Sequence, residues 1–206
     1  MGGTLVALLA TVASDGLSNC TGPHYSARMT SNHARLFALL TAIVGAAALR
    51  LVPHPPNFTP IGAMALFSGA YLGRRWLAFA APMSALLLSD LVLGFYRGQA
   101  TVYLSVASIV MIGMVALKRR SALRVGLVAL ASSVLFFVVT NFGMWLFSGF
   151  YPRTMAGLEA CYIAAIPFFQ NTVAGDLFYA ALLFGGFALI ERSVPALRRV
   201  GDPQPA

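Results

Sequence analysis

Long apolar stretches constrain this chain more than any other feature of its sequence. A helix needs about 20 apolar residues to cross the roughly 30 Å hydrocarbon core of a bilayer, with a usual range of about 17–25. Five stretches reach or approach that length, and a sixth is shorter. We therefore predict six transmembrane helices, at Leu36–Val52, Ile61–Gly73, Trp76–Tyr96, Val102–Leu117, Val125–Phe147 and Thr172–Ile190.

The composition supports the same class of protein. Apolar residues make up 59% of the 206 positions and charged residues only 10%, whereas soluble domains have about 25% charged residues. We predict an all-α polytopic membrane protein whose main partner is the lipid bilayer. Its domains are a poorly ordered N-terminal extension (1–34), a six-helix transmembrane domain (35–192) and a cytoplasmic tail (193–206).

Two short apolar segments need separate interpretation. Ile61–Gly73 follows a Pro-rich segment, so we expect a short second helix whose crossing is completed by extended backbone; a re-entrant hairpin is the alternative. Ala160–Phe169 contains Pro167 and follows Glu159. We expect it to form a surface or re-entrant helix on the outer side, between the fifth and sixth spans.

The basic residues predict the orientation of the chain. The formal net charge of +8 would suggest nucleic-acid binding in a soluble protein, but Lys and Arg in membrane proteins concentrate in cytoplasmic loops, so we predict no nucleic-acid partner. A six-helix topology places eleven of the fourteen on the side of both termini, which is therefore predicted to be cytoplasmic. Only Arg50, Arg97 and Arg153 lie on the other side.

Polar side chains in or near the spans are candidate functional residues, because such groups are costly in lipid. In the predicted topology they gather in the outer half, which predicts a pocket that opens outward and binds a small molecule. The candidate substrate-binding residues are His54, Asn57, Asp90, Asn141, Arg153, Gln170, Asn171 and Asp176.

Alternative roles remain open for these residues. Asp90 and Asp176 could instead cap a neighbouring backbone or pair with Arg50, Arg97 or Arg153, since buried charges usually find partners. His54, Asp90 and Asp176 together could also form a metal site for a divalent transition metal. Ala38, Ala42 and Ala46 share one face of the first helix, where either internal packing or docking to a partner subunit is expected.

Enzyme motifs are missing from the sequence. It contains no P-loop, no H-E-x-x-H and no G-x-S-x-G, so we predict no catalytic residues and no ATP binding through a P-loop. We expect a substrate-binding or transport protein. The alternatives are a small metal-dependent membrane enzyme that uses the two aspartates with His54, and a non-catalytic assembly subunit whose polar residues only join helices.

Four segments carry a resemblance to known proteins. They are R-L-V-P-H-P-P-N-F-T-P-I-G-A-M-A-L-F-S-G-A (50–70), L-L-L-S-D-L-V-L-G-F-Y (86–96), T-N-F-G-M-W-L-F (140–147) and P-F-F-Q-N-T-V-A-G-D-L (167–177). They resemble an uncharacterised family of small bacterial integral membrane proteins. More distantly, the chain is similar to the substrate-binding S components of energy-coupling factor vitamin transporters.

The resemblance implies several expectations beyond those from the residues. It implies an S-component-like bundle of six helices in the bacterial inner membrane, with an outward-facing site for a vitamin or related small molecule. It also implies that Ala38, Ala42 and Ala46 dock a transmembrane coupling subunit. Cobalamin is one candidate ligand, and no cofactor is required.

Overall fold

The computed structural model describes residues 23–194 and 197, with side chains from residue 33 onward. Within these residues the secondary structure is entirely helical. The described part of the chain has six helical segments, the last of which consists of three elements that follow one another without a break. Their bounds are α1 (Pro23–Leu49), α2 (Ile61–Tyr71), α3 (Arg75–Leu93), α4 (Gln99–Ala116), α5 (Ala122–Phe147), and α6 (Met155–Ala180) leading through a π-helical turn (Ala181–Gly185) into α7 (Gly186–Ser193).

Four of these segments are long and apolar enough to cross a membrane: α3, α4, α5 and the continuous segment Met155–Ser193. His33–Leu49 and Ile61–Tyr71 are also apolar but shorter. Many large apolar side chains, such as Leu123 and Val115, are exposed on the outer faces of the helices. The prediction of an all-helical fold is confirmed for the described residues, and the long apolar helices with apolar outer faces indicate a membrane protein.

The chain forms two compact units, which are described separately. The larger unit comprises residues 39–190 and contains almost all of the helical bundle. The smaller comprises residues 1–38 and 191–206. Within the smaller unit, Arg35 forms an ion pair with Glu191 at 2.7 Å and donates a hydrogen bond to the Leu197 carbonyl.

The predicted domain boundaries remain predictions at both ends. Helical geometry begins at Pro23 and continues through the predicted boundary at residue 35. The predicted N-terminal extension therefore includes helical residues from 23 onward, while its first 22 residues lie outside the described part. Of the predicted cytoplasmic tail, only residues 193, 194 and 197 are described.

Helix α2 is the centre of the larger unit. It packs against α3, α4, α5 and α6, and ten of its eleven residues are buried. At about 1.5 Å per residue it is only about 16 Å long, so it cannot cross a bilayer core by itself. The chain enters it from the Pro-rich segment, which contains Pro53, Pro55, Pro56 and Pro60.

Side chains from distant parts of the chain cap both ends of α2. At its N-terminus the Asp176 carboxylate accepts a hydrogen bond from the Ala63 backbone N–H. At its C-terminus Arg120 donates a hydrogen bond to the Ala70 carbonyl at 3.0 Å and covers the Tyr71 ring at 4.3 Å. An acid at the N-terminus and a base at the C-terminus both complement the helix dipole, so a short buried helix is stabilised where its backbone groups lack partners.

Glycines allow α2 and α4 to pack in direct backbone contact. A Cβ atom on Gly113 would lie 2.6 Å from the Leu66 carbonyl oxygen, and one on Gly69 would overlap the Val110 carbonyl. Neither position tolerates a side chain without separating the helices. Ser68 further joins α2 to α3 through a hydrogen bond of 2.6 Å to the Ala78 carbonyl.

The structure corrects the interpretation of Ala160–Phe169. This segment does not form a separate outer helix; it is the N-terminal half of α6, which runs without a break into the predicted sixth span. A continuous helix satisfies the backbone groups internally, which apolar surroundings require, and Pro167 is accommodated within it. The segment Met155–Ser193 has 39 residues, so at about 1.5 Å per residue it exceeds the bilayer core in length.

Candidate functional site

A cavity of about 130 Å³ lies among the helix ends at one side of the bundle. It is bounded by the end of α1, the start of α2, the first turns of α4 and the interior of α5 and α6. Its lining combines one cation, one carboxylate, hydroxyl and amide groups and apolar walls. The lining residues are Arg50, Asn57, Thr59, Ile61, Gly62, Tyr96, Val102, Phe136, Thr172 and Asp176.

Arg50 connects this cavity to Asp90, which is 2% exposed. Arg50 Nη1 lies 2.6 Å from Asp90 Oδ1 and also donates a hydrogen bond to the Ser89 hydroxyl. The other carboxylate oxygen, Oδ2, accepts hydrogen bonds from Gln99 Nε2 and, at 2.9 Å, from the Tyr103 hydroxyl. Asp90 therefore has a cationic partner and two further donors, which compensate for its removal from water.

Tyr96 lies in the loop between α3 and α4 and lines the cavity beside this ion pair. Partial burial raises the pKa of its phenol above the ordinary value of 10.0, and the nearby Asp90 carboxylate raises it further, whereas Arg50 lowers it. Its backbone N–H donates to Gln99 Oε1 at 3.3 Å. Tyr96 is consequently neutral at physiological pH and presents a hydroxyl group.

Asp176 is the second buried carboxylate, and its surroundings differ from those of Asp90. It is 4% exposed and accepts a hydrogen bond of 2.6 Å from the Ser133 hydroxyl as well as the one from the Ala63 N–H. Among the side chains that the structure describes, no Lys, Arg or His forms an ion pair with it. It lines the cavity with only neutral donors around it.

Two glycines allow close backbone packing around Asp176. A Cβ atom on Gly62 would overlap the carboxylate, so only glycine lets the start of α2 approach it this closely. Gly175 packs against the Pro-rich segment, where an added Cβ would lie 3.2 Å from the Phe58 Cα. The Gly-Asp pair on α6 therefore seats the helix against both the segment before α2 and the start of α2.

The Pro-rich segment is held beside the cavity by backbone geometry and side chains. Asn57 has a φ of 64°, in the left-handed region that Asn tolerates better than most residues, and its side chain lines the cavity. Asn171 donates to the Pro56 carbonyl at 2.9 Å. The His54 ring nitrogens lie 3.0 and 3.3 Å from the Pro55 and Arg50 carbonyl oxygens, so a neutral imidazole donates to one of them at a time.

The predicted binding residues divide into two groups. Asn57 and Asp176 line the cavity, Asp90 reaches it through Arg50, and Asn171 and His54 hold the adjoining segment. Only Asn57 and Asp176 are lining residues, so the other six lie outside the lining. Of these six, three have no contact with the cavity's surroundings described above: Asn141, whose side chain donates to the Phe137 carbonyl of its own helix at 2.8 Å, and Arg153 and Gln170, which are exposed.

The side chains proposed for a metal site do not form a cluster in the described part of the chain. Within the described part of the chain, no three His, Cys, Asp or Glu side chains come together in an arrangement that could hold a metal ion. His54, Asp90 and Asp176 each contact different groups. The structure therefore gives no support from these three residues for the metal site that the sequence left open, and the metal-dependent enzyme remains an untested alternative.

The small-residue face of α1 is partly covered. Ala46 is buried, whereas Ala38 and Ala42 are half-buried. The sequence left internal packing and partner docking open for this face. Burial of Ala46 within the protein agrees with internal packing at that position, and docking through the other two remains a prediction.

Sequence reasoning did not select several residues of the site. Nothing in the sequence separates neutral polar residues such as Ser133, Gln99 and Thr172 from the polar groups that only join helices. Thr59 and Phe136 belong to no sequence motif that indicates ligand binding. A usable signal was present for Gly62 and Gly175, since glycines within or beside predicted spans often mark close backbone approach. Arg50 was considered only as a partner for the aspartates, which is the role it has with Asp90.

The four long apolar helices and the outer apolar faces indicate an α-helical membrane protein with a polar cavity at one end of its bundle. The chain belongs to a family of unknown function, DUF6580, whose model matches residues 30–197. That match includes the whole predicted transmembrane domain. No curated protein and no solved structure matches the chain significantly.

Proposed function

We propose that this protein binds a small polar molecule in the cavity between Arg50 and Asp176 and carries it across the bacterial inner membrane. The observation that carries the proposal is the concentration of polar groups around one cavity in an otherwise apolar bundle. Polar groups in membrane helices are energetically costly, so they mark candidate functional sites. Here several of them line a cavity instead of only contacting one another, as expected for a ligand site.

The direction of entry follows from the predicted orientation. The cavity lies among the end of α1, the start of α2 and the loop between α3 and α4. In the topology with both termini in the cytoplasm, these elements are at the outer face. The molecule would therefore enter from outside the cell.

The volume of the cavity restricts the molecule. Ligand pockets for drug-sized molecules measure about 300–1,000 Å³, and this cavity has about 130 Å³. A compact solute fits, whereas a vitamin-sized ligand requires the helices to separate. Cobalamin, with its corrin ring, is far larger than the cavity and is the least favoured candidate.

Release into the cell needs a change in the bundle. The chain has no P-loop, so movement would be driven by a transmembrane coupling subunit or by alternating access within the chain itself. Under the first mechanism, the coupling subunit would dock on the α1 face that contains Ala38 and Ala42. The resemblance of the sequence to vitamin-transporter S components predicts such a docking face, and the choice between the two mechanisms stays open.

A non-catalytic assembly role is the second candidate, and one observation favours it. Asp90 joins α3 to Arg50 at the end of α1 and to Tyr103 on α4, while Asp176 caps α2. Polar side chains that join helices need no ligand to explain them. Only a measurement of ligand binding at the cavity separates the two candidates.

Filling the cavity tests the proposed function. Thr172 is buried and lines the cavity, so we expect Thr172→Phe to abolish binding of any co-purified small molecule while the protein remains folded. The measurement is mass spectrometry of the small molecules released from the full chain purified in mild detergent, followed by uptake of the identified molecule into proteoliposomes.

Thr41→Phe is the matched control, because Thr41 is exposed on α1 and the same substitution there leaves the cavity intact. The control is expected to retain the molecule. If wild type and Thr172→Phe yield the same small molecules and the same uptake, the cavity is not a binding site and the assembly role is supported instead.

A further inference from the structure

We propose that the ligand of this cavity is a small organic cation, and that Asp176 binds its ammonium group. This inference rests on the proposed function and narrows it to a class of substrate. Three features of the cavity carry it: the balance of charge, the incomplete compensation of Asp176, and the chemistry of the remaining lining.

The charges around the cavity do not balance. Arg50 is neutralised by Asp90, with which it forms a direct ion pair at 2.6 Å. Asp176 remains, and the other lining residues are neutral. With Asp176 ionised, the site carries one net negative charge, which a ligand with one positive charge would neutralise.

The protein itself compensates this charge only in part. Asp176 accepts hydrogen bonds from Ser133 and from Ala63 at the start of α2, and a helix N-terminus carries about half of an elementary positive charge. A carboxylate that is 4% exposed in an apolar bundle needs a full counter-charge or a bound proton. A cationic ligand in the cavity supplies that counter-charge.

The remaining lining suits an ammonium group. Tyr96 and Phe136 contribute aromatic rings, which attract cations through their faces. Thr59, Thr172 and Asn57 contribute oxygen atoms that can accept hydrogen bonds. The volume of about 130 Å³ suits a compact amine rather than a vitamin-sized one.

An anionic ligand is disfavoured by the same geometry. Arg50 is the only cation in the lining that the structure describes, and its Nη1 atom is already engaged by Asp90, the Ser89 hydroxyl and, at 3.5 Å, the Leu86 carbonyl. An anion entering the cavity would also approach the Asp176 carboxylate, whose charge is only partly compensated. Two negative charges within one small cavity of low dielectric constant repel each other strongly.

Calorimetric titration of the purified full chain at pH 7 tests the inference with matched probes. Choline is compared with its neutral isostere 3,3-dimethyl-1-butanol, and ethanolamine with ethylene glycol and with the anion glycolate. We expect at least one of the two ammonium compounds to bind, and its neutral counterpart to bind at least tenfold more weakly. Asp176→Asn should weaken ammonium binding at least tenfold, because Asn has nearly the same shape and no charge. Its amide oxygen can still accept a hydrogen bond from the Ala63 N–H, and its NH2 group can donate one to the Ser133 hydroxyl.

Glu159→Gln is the control, since it removes an exposed carboxylate from the same helix and should change affinity less than twofold. Unfolding midpoints in detergent establish that both variants are folded. The inference is overturned if neither ammonium compound binds at millimolar concentration, if a neutral or anionic probe binds as tightly, or if Asp176→Asn retains the wild-type affinity. If glycolate or ethylene glycol binds in place of the ammonium compounds, and Thr172→Phe abolishes that binding, the ligand is not a cation. The inference would then be overturned, while the proposed function would still hold.

Discussion

Asp90 and Asp176 are both buried carboxylates, yet their neighbours give them different properties. Asp90 contacts a guanidinium, an amide and a phenol, so its charge is compensated within the protein. Asp176 contacts a hydroxyl and a backbone N–H, so its charge is compensated only partly. The first is suited to joining helices and the second to binding a cation.

We expect removal of the cation from the Arg50 and Asp90 pair to be strongly destabilising. Arg50→Met leaves Asp90 buried without a counter-charge, which costs about 3–5 kcal/mol of unfolding free energy in comparable pairs. The double variant Arg50→Met with Asp90→Asn removes both charges, so it should recover most of that loss. The unfolding free energy of each variant is measured by titration with sodium dodecyl sulfate, with circular dichroism as the readout of helix content.

Arg97→Met serves as the control, because Arg97 is an exposed arginine in the neighbouring loop and its loss should change stability by no more than about 0.5 kcal/mol. Additive losses from the two single substitutions, with no recovery in the double variant, would show that Asp90 does not depend on Arg50.

Among the elements, α2 is the one on which the site depends. Its start contributes Ile61 and Gly62 to the cavity, and its first turn binds Asp176. Its close approach to α4 positions Tyr103 and Val102 on the neighbouring helix. The contact at Gly69 and Gly113 therefore supports both the bundle and the cavity.

We expect Gly113→Ala to separate α2 from α4. The new methyl group would lie 2.6 Å from the Leu66 carbonyl oxygen, which is too close for a carbon atom. Overpacking of this kind typically costs about 1–3 kcal/mol. Detergent unfolding midpoints, together with ligand affinity at the cavity, measure the effect, and both should fall.

Gly126→Ala on α5 is the matched variant, because the added Cβ meets nothing within 4 Å apart from its chain neighbours and the backbone of its own helix. Alanine is the better helix former by about 1 kcal/mol, so this variant should be as stable as wild type or more stable. Equal stability of Gly113→Ala and Gly126→Ala would mean that α2 and α4 do not pack as closely as described.

At the scale of the whole molecule, the important property is that the two ends of the bundle differ. The cavity lies at the end that contains Arg50 and Tyr96. The opposite end carries the basic loop of Lys118, Arg119 and Arg120, where Arg120 caps α2. Such asymmetry is typical of a protein with a fixed orientation in the membrane.

Single cysteines should report that orientation. In a background without Cys20 and Cys161, we expect Arg153→Cys to react with a membrane-impermeant maleimide in spheroplasts, because it lies on the predicted outer side. Lys118→Cys should react only after the membrane is permeabilised. Both positions are exposed, so a difference in reactivity reports sidedness rather than burial. The reverse pattern would place the cavity at the cytoplasmic face and reverse the proposed direction of transport.

Much of the fold could be predicted from the sequence because hydropathy reports directly on the solvent of each segment. The apolar runs located the helices, and the Pro-rich segment before Ile61 predicted where α2 begins. The continuous helix through Ala160–Phe169 could not be predicted with the same rules. Pro167 and the short length suggested an interruption, yet backbone hydrogen bonding in apolar surroundings favours a continuous helix.

The candidate site was only partly predictable. Polar residues in apolar runs are conspicuous, so Asp90 and Asp176 were selected from the sequence, and Asn57 was selected from the Pro-rich segment beside the spans. Asn141 was selected by the same rule although its side chain bonds to its own helix. Depth along a helix can be estimated from the sequence, but the direction in which a side chain points around the helix axis depends on the neighbouring helices.

The sequence by itself determined that this protein belongs in a membrane, because its apolar content leaves no other solvent for most of its helices. Only the tertiary structure decided which charges are compensated. Arg50 and Asp90 are 40 residues apart and Ser133 and Asp176 are 43 apart, so their contacts arise from helix packing and not from local spacing. The physical reason is that hydropathy is a property of each segment, whereas charge compensation is a property of pairs brought together by the fold.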